Sequence, residues 1–317
     1  VKLLIADLDC RRTYVSRELW YTMTALTETH GWRFLEANTL RRAPGTLEDQ
    51  LARSLGEQPA VLLFWECFDL ICAHRSSLER LDGVTCVFAE DLHGSDEIAR
   101  AEKVLSFLIC DVILAAYPNA FADLYPRLWQ TRRVLAVPHA ASQDFDLPFN
   151  EDAVNAVFLS GALGHHYPLR QRMASLSRNP TLAIVHHPHP GYHCSYDYAT
   201  DPRIGRSYAL KIQEYRAGFT DCALYRYVLA KHFEIPATGA LLLAERAVQS
   251  ELAELGLLDG VHYVSVSHDD LEDRLRYVLD PANHDELDPI RRRGQALIRQ
   301  RHTTADRAAL IDRLCSR

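Results

Sequence analysis

Four histidines and a cysteine crowd the nine residues "HHPHPGYHC", from His186 to Cys194. Imidazole and thiolate are the usual ligands of zinc, so a metal centre is the first chemistry to weigh. The spacing argues against it. His186 and His187 are adjacent, and on an extended strand end they point to opposite faces. His189 and His193 are separated by a "PGY" turn, and Cys194 has no partner cysteine nearby. A structural zinc site draws spaced ligand pairs from two segments. The stretch reads as a strand-end loop held by Pro188, Pro190 and Gly191, with no metal.

Three further clusters could carry chemistry. In "KHFEIPATG", Lys231 and Glu234 are three residues apart, so both can project from one helical face before Gly239 breaks the helix. A carboxylate there can accept two hydrogen bonds from the vicinal diol of a ribose, and the ammonium can meet phosphate charge. An ordinary surface ion pair is the competing reading. In "AVFLSGALGHHYPLR", a strand runs into a loop with Gly161 and Gly164, and Pro168 opens a helix at its first position. Glycine lets a ligand approach the backbone, the helix start offers N–H groups to an anion, and Arg170 in the first turn could grip a phosphate bidentately. A tight turn with a solvated arginine would look the same. In "VFAEDLHGS", Glu90, Asp91 and His93 crowd the end of another strand, which is general acid–base equipment or a loop cap.

These residues need elements to position them. Short β-rich apolar runs alternate with helical patterns throughout. "KLLIADL", "WRFLEA", "AVLLFWE", "VTCVFAED", "DVILAAY" and "RRVLAVP" form a first set of strands, and "AVFLSG", "LAIVHH", "FTDCALY", "ALLLAE" and "HYVSVS" a second. Helices are expected over Val15–His30, over Glu97–Leu108 with Ile98, Ala101, Leu105 and Leu108 inward, over Pro168–Leu176 and over Leu271–Leu279. Strands this apolar, separated by helices, imply parallel sheets covered on both faces. The polar, proline-containing stretch at 138–153 reads as a linker. The expected division is 1–138 and 139–302, two Rossmann-like α/β domains facing across a cleft, with a helix over 303–317 whose docking place is open. Such sheets bind ligands beyond the carboxyl ends of their strands, where the candidate residues fall.

A net charge of -7 gives no footprint for nucleic acid, although a local basic pocket can exist within it. No apolar run is long enough to span a bilayer, and "VKLLIADLDCRR" reads as a first strand, not a signal peptide. The eight cysteines are spread through the chain without a C-x-x-C pair, several inside apolar runs. That is buried thiol usage in a reducing cytoplasm.

Together the landmarks resemble the group 1 glycosyltransferases of GT-B fold, especially the subgroup related to the spore maturation protein CgeB. The resemblance rests on "VFLSGALGHHYPLR", "HPGYH", Tyr208, "YRAGFTDCALYRYVLAKHFEIPATGALLLAE", "LGLLDGVHYVSVSHDDLEDRLRYVLD" and "RHTTADRA", with "EDLHGS" and "PHAASQDF" in the first half. It implies an enzyme that moves a sugar from a nucleotide-sugar donor to an acceptor hydroxyl. The donor is a substrate, no cofactor is needed, and the acceptor is a small molecule, natural product or glycan. The second domain would hold the donor, with Glu234 on the ribose and Arg170 and Lys231 on the diphosphate. Gly161, His189, Gly191, Tyr192, Tyr208, Thr238 and Gly239 would line that site. His93 or Asp91 would stand near the reacting carbon as the catalytic group.

One departure bears on the sugar. The wider family carries a second glutamate eight positions upstream of the ribose-binding one, and here that position is Arg226. The resemblance also implies that helix N-termini and basic side chains, not a divalent ion, offset the leaving diphosphate's charge. "ADLD" has the spelling of a metal-binding D-x-D motif but lies in the apolar first strand, so Asp7 and Asp9 read as strand-end residues. A nucleotide-sugar epimerase or hydrolase is the alternative enzyme. A receiver-like signalling protein is the alternative of another class, because "KLLIADLD" resembles a receiver's first strand. A receiver needs an aspartate where "AVLLFWE" ends in Glu66.

Overall fold

The computed structural model describes residues 1–7, 17–93, 96–191 and 196–316. The chain divides into two compact units. The first comprises Val1–Arg11, Leu19–Pro138 and Ala305–Arg317, and the second Arg12–Glu18 and His139–Thr304. The terminal helix Thr304–Cys315 thus counts almost wholly with the first unit.

The first unit is built on a six-stranded parallel sheet of β1 (Lys2–Ala6), β2 (Arg33–Glu36), β3 (Val61–Trp65), β4 (Val84–Ala89), β5 (Val112–Ala115) and β6 (Arg133–Ala136), in the order β2-β1-β3-β4-β5-β6. All five residues of β3 are buried, as a strand covered on both faces requires. The helix expected over Val15–His30 runs from Glu18 to Thr29.

The helix Glu97–Ile109 corrects the sequence reading. Its expected inner face is its outer one, with Ile98 74% exposed and Leu108 52%. Polar bonds orient it instead. Lys103 donates to the carbonyls of Asp91 and His93, Ser106 donates to that of Phe68, and Phe107 packs beside them. Two buried hydrogen-bonding side chains outweigh a weak apolar stripe.

The second unit carries a five-stranded parallel sheet of β7 (Val154–Ser160), β8 (Ile184–His187), β9 (Tyr215–Thr220), β10 (Leu241–Glu245) and β11 (Val264–Val266), in the order β11-β10-β9-β7-β8. Alternate residues feed two cores. Val157 and Leu159 of β7 pack with Leu169, Met173, Leu271 and Leu275 on one face. Phe158 packs with Tyr208, Phe233 and Leu242 on the other. The ninth strand is displaced from its expected place. It is "YRAGFT", and "DCALY" is the loop that follows. The order reverses between β7 and β9, so their carboxyl ends flank the topological switch point, where open α/β sheets bind ligands.

Candidate functional site

At the switch point, Ser160 ends β7 and Asp221 follows β9. Gly161 has φ +105°, and a Cβ there would lie 2.5 Å from Arg170 Nη1. Only glycine leaves room for that guanidinium. Arg170, in the first turn of the helix Pro168–Leu176, is 2% exposed and forms a buried ion pair with Asp221, which is 0% exposed. Its Nη1 also donates to the Ala162 carbonyl at 3.1 Å, and its guanidinium carbon lies 4.0 Å from the Tyr167 ring centroid. The backbone N–H of Arg170 donates to Asp221 Oδ2 at 3.1 Å. The expected role of Arg170 changes accordingly. The anion met by this helix start and this guanidinium is the protein's own aspartate, and the pair ties the two loops of the switch point together.

Lys231 and Glu234 lie on the helix Lys231–Ala237, which leads into β10. That helix packs closely on β9, where a Cβ on Gly218 would meet Ile235 Cγ2 at 2.9 Å. Glu234 is 3% exposed. Lys231 is half-buried, and its ammonium has no hydrogen bond or ion pair at bonding distance among the described residues. It stands 6.0 Å from the Tyr208 ring centroid. Burial pulls its pKa down, and the Glu234 carboxylate opposes that shift. Tyr208 is buried with its hydroxyl 2.6 Å from Ser160 Oγ, and burial first, then Glu234, raises its pKa.

At the end of β8, His186 is exposed and His187 turns inward, its ring 5.4 Å from Phe158, so neighbouring imidazoles do face apart. His189 Nδ1 accepts the Gly191 N–H at 3.0 Å, which leaves the ring proton on Nε2. Burial, with Lys231 and Arg170 nearby, holds its pKa down at about 4, so the ring is neutral at pH 7. Gly191 has φ +104°, and its carbonyl accepts from the Tyr196 hydroxyl. Tyr192, with His193 and Cys194, lies outside the described residues. Among those described, no three of His, Cys, Asp and Glu are placed to hold a metal ion.

Thr238 and Gly239 follow at the end of the helix Lys231–Ala237. The Thr238 hydroxyl donates to the Ile235 carbonyl at 2.8 Å, and the Gly239 carbonyl accepts from Arg291 Nε at 3.0 Å. His232, beside Lys231, is fully buried. Its Nδ1 bonds the Leu229 carbonyl at 3.1 Å, its Nε2 has no partner among the described residues, and burial lowers its pKa from 6.5 to about 3. Between those values the unfolded chain binds a proton that the folded chain rejects. This contribution to stability is therefore complete above about pH 6.5 and declines as the pH falls toward 3. Urea midpoints at pH 7 and pH 5 should show wild type losing more stability than His232→Gln; equal losses would place the proton uptake elsewhere.

In the first unit, the loop after β4 is fixed from two sides. Glu66, at φ +53°, accepts the N–H groups of Glu90 and Asp91 at 2.9 and 3.0 Å, and Lys103 holds the carbonyls of Asp91 and His93. His93 Nδ1 lies 3.2 Å from Asp91 Oδ1, with both side chains partly exposed. Asp7, at the end of β1, is paired to Arg41, which Asp69 grips as well. Asp9 lies outside the described residues.

Asp221 is the residue that the sequence reading missed. It was absorbed into a strand, although a carboxylate interrupting an apolar run is itself a signal of a strand end.

Residues 187–313 match a family model described as glycosyl transferase-like. No curated protein sequence matches the chain. Among solved structures, the chain is similar to the Anabaena protein HepE in complex with UDP and glucose, at 11% identity over 99% of both chains and a TM-score of 0.68. It is similar to sucrose-phosphate synthase from Thermosynechococcus elongatus, at 10% identity over 99% of this chain and 98% of that one, TM-score 0.65. An alpha-glucosyltransferase in complex with UDP and a 13-mer DNA aligns at 9% identity over 100% and 99%, TM-score 0.64. No helix among the described residues is long and apolar enough to cross a membrane. Two parallel α/β units and these likenesses give the chain a GT-B fold, and most of the stretch that matches the glycosyl transferase-like model lies in its second unit.

Proposed function

We propose that the protein transfers a sugar from a nucleotide-sugar donor to an acceptor hydroxyl, without a divalent ion, and that it stands with the CgeB-related group 1 glycosyltransferases. One observation carries the reading: a half-buried ammonium, Lys231, with no hydrogen bond or ion pair among the described residues, next to a buried carboxylate, Glu234, within the stretch that matches the transferase-like model. Glu234 would accept the ribose hydroxyls. Lys231 would meet the diphosphate, with the Nε2–H of neutral His189 as a further donor. As the glycosidic bond breaks, negative charge grows on the leaving phosphate, and a fixed cation in a dry corner stabilises it without reorganising. Arg170 acts here as a positioning residue, holding the loop after β7 against Asp221. In the first unit, the His93–Asp91 pair is assigned to the acceptor, where an imidazole beside a carboxylate can take the hydroxyl proton. The six described cysteines are all free, which suits a reducing cytoplasm.

UDP-bound HepE makes uridine nucleotides the first donors to try. Incubation with UDP-, GDP- and dTDP-sugars, a panel of hydroxyl acceptors and EDTA should yield nucleoside diphosphate and glycoside together. Diphosphate release without glycoside would indicate hydrolysis, an altered sugar would indicate epimerisation, and a need for a divalent ion would overturn the metal-free reading.

A further inference from the structure

We propose that a ladder of packed rings at the switch point of the second unit is a sugar subsite, in which His165 takes the C–H face of the donor's sugar. The inference rests on the nucleotide-sugar reading above. His165 and His166 have ring centroids 3.8 Å apart, His166 and Tyr225 5.6 Å, and Tyr225 and Tyr227 5.3 Å. Tyr227 is buried, Tyr225 and His166 are half-buried, and His165 is exposed, so the ladder runs from core to surface and presents one ring at its outer end.

The ladder is built, not incidental. Its rings come from the two loops that flank the switch point, one after β7 and one after β9. The Leu224 N–H donates to the His166 carbonyl at 2.9 Å, and the Tyr225 hydroxyl lies 3.2 Å from His166 Nδ1. Ala223 and Arg226, in the second loop, hold φ of +57° and +56°, a conformation that residues with a Cβ adopt only where their surroundings enforce it. Leu163 and Leu224, 37% and 60% exposed, add apolar surface to the same two loops.

Why a sugar? The C–H bonds on one face of a pyranose carry partial positive charge, and an aromatic ring offers a negative face to meet them. The other way to hold a sugar, by carboxylates on its hydroxyls, is taken up at this edge. Asp221 is paired with Arg170, Glu245 accepts from the Cys222 N–H and thiol, and Glu251 is paired with Arg226. Arg226 occupies the place where the family that the sequence resembles carries a glutamate. Position points the same way. Tyr167, next in sequence to His166, lies against the Arg170 guanidinium, whose charge is close enough to act on Lys231 and His189, the two groups assigned to the diphosphate. The sugar is bonded to that diphosphate directly.

The test is titration of wild type, His165→Ala and His165→Phe with UDP and UDP-glucose, and with GDP and GDP-mannose. His165→Ala should weaken the nucleotide sugar about five-fold, the scale of one aromatic contact, and leave the free diphosphate within about two-fold. His165→Phe, which keeps a ring face, should restore the nucleotide sugar. Equal weakening of sugar and diphosphate would assign the ring to the nucleobase or the loop and overturn the sugar subsite. So would unchanged affinity for both. Wild type that binds none of the four, nor dTDP or dTDP-glucose, would instead overturn the donor reading itself.

Discussion

Glu234→Gln should weaken nucleotide-sugar binding by about 1.5–3 kcal/mol, the range for hydrogen bonds to a charged group. The replacement keeps the shape of a side chain that is 3% exposed, so the loss reports charge and not packing. A second consequence follows from Lys231. Burial lowers its pKa and Glu234 holds it up. Without the carboxylate, Lys231 gives up its proton at lower pH, and the diphosphate loses its cation. The defect in Glu234→Gln should therefore grow between pH 7 and pH 9, as titration calorimetry at the two values would show. Affinity equal to wild type at both would remove Glu234 from the donor site.

Asp221→Ala should cost about 3–5 kcal/mol of folding stability, the scale for removing one partner of a buried ion pair. Arg170, 2% exposed, would lose its ion-pair partner. Burial raises the Asp221 pKa and Arg170 pulls it back, so the aspartate in turn depends on the arginine for its charge. Urea unfolding of Arg170→Ala, Asp221→Ala and the double variant should show strong non-additivity, the double losing much less than the sum of the singles. Additive losses would mean that the two side chains act independently.

The sheets were legible because parallel strands buried on both faces leave continuous apolar runs, as in "AVLLFW" and "ALLLAE". The ninth strand slipped because "YRAGFT" is less apolar than "FTDCALY", although Asp221 marks where the strand stops. The face of Glu97–Ile109 was misread because a lysine and a serine, bonded inward, set it. Neither residue type announces burial. Lys231 and Glu234 were legible as a helical pair, and "HPG", ending in Gly191, as a glycine-dependent loop. The partner of Arg170 was not. Asp221 lies 51 residues away and reaches the arginine only because β7 and β9 are neighbours in the sheet. The ring ladder is hidden for the same reason, since His165 and Tyr225 come from different loops.

In the proposed mechanism a cation in the second unit does the work that a metal ion does elsewhere. Its most direct measurement is titration of UDP, GDP and the matching nucleosides, in EDTA, into wild type and Lys231→Ala. The account predicts that at least one diphosphate binds wild type without metal, that Lys231→Ala weakens it roughly ten-fold or more, the scale of a hydrogen bond to a charged group, and that the nucleoside is hardly affected. Diphosphate binding that appears only with a divalent ion, or that survives the loss of Lys231 unchanged, would contradict it.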